Sequence, residues 1–248
     1  MENEYFSNRR SCRFYKPNSI TFDEIEKIIK EAQKAPTCGN MQLYSVVVTM
    51  DEERLSKISS FHYNQPAAST APAILTICAD FKRFTRWCEL RNADAGFNNF
   101  HSFITAMTDA VIFAQQIVTV AEMSGFGSCY LGTVNYNAEE ISRFLELPEL
   151  VVPVASVSLG IPSREGEETP RLETQAILHK EKYHLESEAE ILNYYKAQEE
   201  DENNKLFIEE NGKDNLAQVF SEIRYPRSTN EKISHTFQSL LKIKGFIG

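Results

Sequence analysis

Apolar residues recur at Ile25, Ile28, Ile29 and Ala32, the spacing of one helix face, and the run opens on Thr21 followed by Glu24 in the form of a capping box. The pattern predicts a helix that ends before Pro36. Leu43 to Met50 is rich in Val and lies between Gly39-Asn40 and the helix-start sequence Asp51-Glu52-Glu53, so it reads as a strand. Ala73 to Ala79 (AILTICA) has the same character, and the two strands are expected side by side. From Phe100 to Ser124 the apolar residues fall on nearly every face, among them Phe103, Ala106, Ala110, Phe113, Ile117 and Ala121. A helix of that kind is enclosed by protein. Gly125 to Thr133 leads into another strand-like segment. Asn137 with Glu140 caps a short helix ending at Leu147-Pro148, and Val151 to Gly160 forms a strand whose Pro153 places it near a sheet edge.

Beyond Pro162 the character changes. The segment to Arg171 is polar and loop-like, and Gln175 to Leu178 is a short apolar run suited to a return to the sheet. Glu186 to Gln198 has helical periodicity through Ala189, Leu192 and Tyr195. Glu199 to Gly212 is acidic, with only Leu206, Phe207 and Ile208 to anchor it, and reads as a mobile loop. A last helix, Thr229 to Lys244, places Ile233, Phe237, Leu240 and Leu241 on one face and stops at Gly245. No internal repeat or long linker divides the chain. The expectation is therefore a single α+β domain over residues 1–248 with a C-terminal excursion from about 185 to 248.

Composition narrows the function classes. A chain of 248 residues that is 42% hydrophobic and 25% charged has the material for a sizeable core. Its formal net charge of -9 disfavours nucleic acid and anionic lipid as partners. The N-terminus lacks an apolar leader, and the most apolar stretch is broken by His101, Asp109 and Gln115-Gln116, so a cytoplasmic protein without a membrane span is expected. The five Cys contain no Cys-x-x-Cys pair, and the five His lack ligand spacing. Neither a disulfide framework nor a metal site is expected.

Three segments could carry chemistry. Arg9-Arg10-Ser11-Cys12-Arg13 offers three guanidinium forks and a hydroxyl, a set that suits a phosphate, although a solvated basic patch has the same composition. Ala35 to Gln42 is a polar turn that could line a ligand or merely join helix to strand. In Gly125-Phe-Gly-Ser-Cys-Tyr-Leu-Gly-Thr133 the glycines let backbone approach a flat ligand. It is not a dinucleotide fingerprint, since Tyr130 stands where a third Gly is required. A Walker A sequence and a Gly-x-Ser-x-Gly elbow are also absent.

In this order the segments resemble the nitroreductase family, and its larger branch of oxygen-insensitive nitroreductases and NADPH-FMN oxidoreductases in particular. RRSCRFY at Arg9 to Tyr15 is similar to the family's opening, and Ala35 to Gln42 to its Ala-Pro-Ser-x-x-Asn-x-Gln turn. Cys78-Ala-Asp-Phe81, the helix and Gly end from Asp109 to Gly127, Leu159-Gly-Ile-Pro162 and Thr169-Pro-Arg-Leu172 continue the likeness.

The resemblance implies a three-layer α/β/α sandwich with a central mixed or antiparallel sheet, a buried central helix, and an obligate dimer carrying flavin mononucleotide (FMN) at its interface. By that resemblance Arg9, Ser11 and Arg171 hold the FMN phosphate, with Arg10 nearby, and Arg13 sits against the N1 and C2 carbonyl edge. Gln65 takes the pyrimidine edge, and Tyr130, Leu131, Gly132 and Thr133 lie along the other edge. Thr37, Cys38 and Asn40 come from the partner. The implied activity is ping-pong transfer of electron pairs from NADPH or NADH to nitroaromatics, quinones or free flavin, with no protein acid or base as catalyst. A dedicated flavin reductase and a non-catalytic FMN-binding sensor are the alternatives. This sequence departs from the branch at Thr169, where Lys is usual, and at Gln198-Glu199-Glu200-Asp201-Glu202, whose carboxylates would repel the NADPH 2′-phosphate and so favour NADH use.

Overall fold

A computed structural model describes residues 4–248. Its chain falls into two compact units, residues 1–167 with Ile233–Gly248, and Glu168–Lys232.

In the first unit the elements are α1 (Glu4–Asn8), α2 (Phe22–Ala32), β1 (Tyr44–Thr49), α3 (Glu52–Phe61), α4 (Pro66–Ser69), β2 (Ala73–Asp80), α5 (Lys82–Leu90), α6 (Phe100–Met123), β3 (Gly127–Tyr130), α7 (Ala138–Phe144) and β4 (Val151–Gly160). The strands form one antiparallel sheet in the order β1-β2-β4-β3. Alternation along β2 divides the core: Ala73, Leu75, Ile77 and Ala79 face a large cluster under α2 and α6, while Ile74 faces a smaller one with Ile58 of α3, Ala67 and Ala68 of α4, and Leu131. Helices on both faces of the sheet give the three layers.

Local signals set the helix starts. Thr21 caps α2 with both arms of the box formed, and Asp51 caps α3 by accepting from the Arg54 amide at 2.9 Å. Asn137 departs from the expectation for α7. Its side-chain amide donates to the Phe61 carbonyl at 2.6 Å, tying α7 to the end of α3 rather than capping its own helix.

Burial refines two expectations. β4 is an interior strand, buried along its whole length. Pro153 is accommodated because β3 pairs only with Val157–Gly160, so the half of β4 that carries the proline has β2 as its sole strand neighbour. The register with β2 also slips there by one residue at Val154. The second concerns α6, whose length and apolarity alone would suit a membrane span. One face packs on β2 and β4, but Ile104, Val111 and Ile112 are 37%, 46% and 38% exposed in the single chain, so enclosure is one-sided.

The second unit contains α8 (Glu188–Glu200), α9 (Glu202–Glu210), α10 (Leu216–Gln218) continuing into a π turn at Val219–Arg224, and the start of α11 (Arg227–Ile243). Gln175 to Leu178 is no strand: Thr174–Ala176 makes a single 3-10 turn, and Ile177 and Leu178 are exposed. The acidic stretch after Glu199 is helical rather than a loop, because Asp201 caps α9 by accepting from the Asn204 amide. The last part of α11 belongs to the first unit, where Leu240, Leu241 and Phe246 join the main core.

Candidate functional site

β3 is the outermost strand on its side, and the N-terminal cationic segment lies along its outer edge. The Cys12 amide donates to the Ser128 carbonyl at 2.8 Å, and Tyr15 bridges to Pro162. The approach is close enough to require glycine. A Cβ on Gly127 would stand 2.6 Å from Cys12 Cβ and 2.8 Å from Pro162 Cγ. The Tyr15 hydroxyl fastens the segment from beneath, donating to the Cys12 carbonyl at 2.9 Å and meeting Ser158 Oγ at 2.8 Å.

Glu122, near the end of α6, organises the same region. Its carboxylate accepts from the Tyr5 hydroxyl at 2.7 Å and from Ser128 Oγ at 2.5 Å, and pairs with Arg9 Nε at 3.3 Å. Burial, reinforced by this carboxylate, pushes the Tyr5 phenol up to about 12; burial also raises Tyr130 to about 12, against the pull of the Arg9 cation. The Cys12 and Cys129 thiols are raised too, chiefly by burial, so both stay protonated at neutral pH and neither is an activated nucleophile. A cleft of about 560 Å³ opens beside Glu122, with Arg9, Arg10, Lys16 and Arg164 on its walls. Lys16 and Arg164 had no distinguishing motif in the sequence; the fold brings them to the cluster, with the Arg164 guanidinium 3.2 Å over the Phe14 ring.

At the other end of β3 the chain turns through Leu131, whose amide donates to the Ser156 carbonyl at 2.9 Å, into a 3-10 turn over Gly132–Asn135. Among the described residues nothing lies within 4 Å of the position a Gly132 Cβ would take, so backbone faces open space there. Thr133 Oγ1 receives Gln65 Nε2 at 3.2 Å and meets His62 Nδ1 at 2.8 Å. Arg9, Arg10, Ser11, Arg13, Tyr130, Leu131, Gly132, Thr133 and Gln65 are thus gathered along one strand edge.

Thr37, Cys38 and Asn40 belong to a separate group. Their turn is fixed by Asp109, a buried carboxylate in the middle of α6 that accepts from the Cys38 amide at 2.8 Å and the Leu43 amide at 3.3 Å. Thr37 Oγ1 also accepts from the Gln42 amide. Asp109 and Glu122 lie roughly 20 Å apart along α6, at about 1.5 Å of rise per residue. Arg171 lies in the second unit, exposed, with its guanidinium donating to the Thr169 carbonyl.

The sequence profile of the nitroreductase family matches residues 6–161. The chain belongs to that family. A Cr(VI) reductase from Pseudomonas sp. strain G-1 is 35% identical over 195 residues, which span 79% of this chain and 80% of that one. An FMN reductase [NAD(P)H] from Bacillus subtilis strain 168 is 29% identical over 228 residues, 89% and 91% of the two chains. Among solved structures, an oxidoreductase from Bacteroides fragilis NCTC 9343 superposes with a TM-score of 0.97 at 42% identity, covering 99% of this chain and 100% of that one.

Proposed function

We propose that this nitroreductase-family chain is an FMN-dependent oxidoreductase that passes electron pairs from NADPH or NADH to small acceptors such as nitroaromatics, quinones or free flavin. The observation that carries this reading is the layout of the β3 edge, cationic at one end, with an amide and bare backbone at the other. That layout fits FMN. Arg9, Ser11 and Arg13, with Arg10 beside them, supply guanidinium forks and a hydroxyl for a phosphate and for the electron-rich ring edge. Gln65 offers a carboxamide for the pyrimidine, and the uncrowded backbone at Gly132 admits a flat ring. Arg171 is the remaining candidate for the phosphate.

Bound FMN would supply the two-electron chemistry, taking hydride at N5 from the nicotinamide and returning it to the acceptor. The protein's part is binding and electrostatics. A cation at Arg13 favours negative charge on the ring, and burial keeps the Cys12 and Cys129 thiols protonated.

We infer further that two chains build each site. The family resemblance gives Thr37, Cys38 and Asn40 to the partner's site, their turn is anchored at Asp109 rather than on the β3 edge, and the exposed Ile104, Val111 and Ile112 are an apolar face that a second copy would cover. A narrower reading, a dedicated flavin reductase, also fits, since one relative is an FMN reductase, and comparing free FMN with nitrofurazone as acceptor separates the two. The decisive experiment is the anaerobic absorption spectrum of the purified protein before and after NADPH or NADH. A flavin band that bleaches with nicotinamide supports the proposal; a protein that takes up no FMN on reconstitution refutes it.

A further inference from the structure

His62 is completely buried at the end of α3, and among the described residues its Nε2 has no hydrogen-bond partner. Burial holds the ring neutral, pushing its pKa down to about 4. The backbone goes to some length to put it there. Tyr63 and Asn64 are consecutive non-glycine residues with φ of 58° and 50°, a left-handed pair that L side chains rarely adopt. The turn is closed by the Asn64 amide donating to the Ser59 carbonyl, and by Asn137 holding the Phe61 carbonyl.

The proton on a neutral imidazole can be assigned. A buried N–H without an acceptor costs more than a buried lone pair without a donor, so Nε2 carries the lone pair and Nδ1 the hydrogen. Nδ1 then donates to Thr133 Oγ1 at 2.8 Å, and Gln65 Nε2 donates to the same oxygen at 3.2 Å. With both lone pairs of the hydroxyl engaged, the Gln65 amide nitrogen is pinned toward Thr133. Its oxygen and its second amide hydrogen remain for a ligand, an acceptor beside a donor. That pair complements an imide edge, an N–H beside a carbonyl.

We propose that His62 is a positioning residue which, through Thr133, fixes the direction of the Gln65 carboxamide so that the site selects the N3–H edge of a flavin. The proposal rests on the assignment of this site to FMN and adds to it the device that sets ligand selectivity. His62 touches neither ligand nor reacting atoms.

The test compares FMN with its N3-methyl derivative, which lacks the N3 hydrogen. Each is titrated into flavin-stripped protein, with quenching of flavin fluorescence as the readout and thermal melting measured alongside. Wild type should favour FMN by about tenfold, the range of one lost hydrogen bond in a desolvated site. His62→Phe and Thr133→Val should each bring that ratio to within about twofold of unity, and the double variant should do no more than either alone. His62→Asn, whose amide nitrogen can stand in for Nδ1, should keep the wild-type ratio. A His62→Phe or Thr133→Val protein that folds and keeps the tenfold preference overturns the proposal. So does one that loses thermal stability and FMN affinity while the ratio stays unchanged, since that is the signature of a packing role. Wild type that binds neither flavin refutes the site assignment instead, a distinct result.

Discussion

Replacing Asp109 by Asn perturbs the turn that carries Thr37, Cys38 and Asn40 while leaving volume nearly constant. The native carboxylate accepts two backbone amides, Cys38 at 2.8 Å through one oxygen and Leu43 at 3.3 Å through the other. A carboxamide can keep one and must turn its NH2 toward the other donor. Leu43 is fully buried, so its amide has no water to replace the lost acceptor, whereas Cys38 is exposed. The oxygen should therefore be needed most at Leu43, and the shorter bond to Cys38 opposes that choice. Losing one charge-assisted bond to a buried amide costs about 2 kcal/mol. For a chain of this size that corresponds to a fall in Tm of about 4–8 °C. Asp109→Ala removes both acceptors and opens a small cavity, for roughly 3 kcal/mol or more. Backbone hydrogen exchange reads the effect locally, and the Leu43 or Cys38 amide should exchange about 30-fold faster in Asp109→Asn, the equivalent of 2 kcal/mol. On the two-chain proposal FMN should also dissociate more readily, because a loosened turn would serve the partner's flavin poorly. A variant that melts within about 1 °C of wild type with both amides equally protected would refute the reasoning.

Four further outcomes follow from the same geometry. Gly127→Ala drives a methyl into Cys12 and Pro162 and should cost about 2–3 kcal/mol, read as the shift in urea midpoint; an unshifted midpoint would show that the N-terminal segment moves aside freely. In the unfolded chain His62 takes a proton near its ordinary 6.5, but in the fold only near 4, so stability should decline as pH drops through that window, by up to roughly 3 kcal/mol. His62→Asn should flatten that part of a stability-against-pH curve, and an unaltered slope would count against it. Val111→Asp puts a charge in the exposed face of α6 and should yield monomers that no longer retain FMN; sedimentation showing FMN-loaded monomers would rule out the two-chain site. The carboxylates from Glu199 to Glu202 should leave kcat/KM for NADH comparable to that for NADPH, and a hundredfold preference for NADPH would contradict this.

Sequence alone determined the elements whose signals are local. The capping box at Thr21, the Val-rich run at Tyr44–Thr49 and the apolar stretch of α6 reappear within a residue or two of their expected limits, because capping and periodicity act between near neighbours. The ordered motifs pointed to the family for the same reason: each is contiguous. The acidic stretch at Glu202–Glu210 departs from its composition because a single cap at Asp201 outweighs the polarity.

What tertiary structure decided lies between residues far apart in the chain. In sequence Asp109 is only a polar break in an apolar helix, and Glu122 carries no signal of its own. In the fold Asp109 ties down a turn 71 residues away, and Glu122 pairs with Arg9 from a distant part of the chain. His62 gave no signal at all, since its partner Thr133 is also 71 residues distant. Pro153 suggested an edge correctly for its own half of β4, yet only the shortness of β3 explains how the strand can be interior as well. A buried polar group must find its partner wherever folding brings one, and local pattern carries no record of where that is.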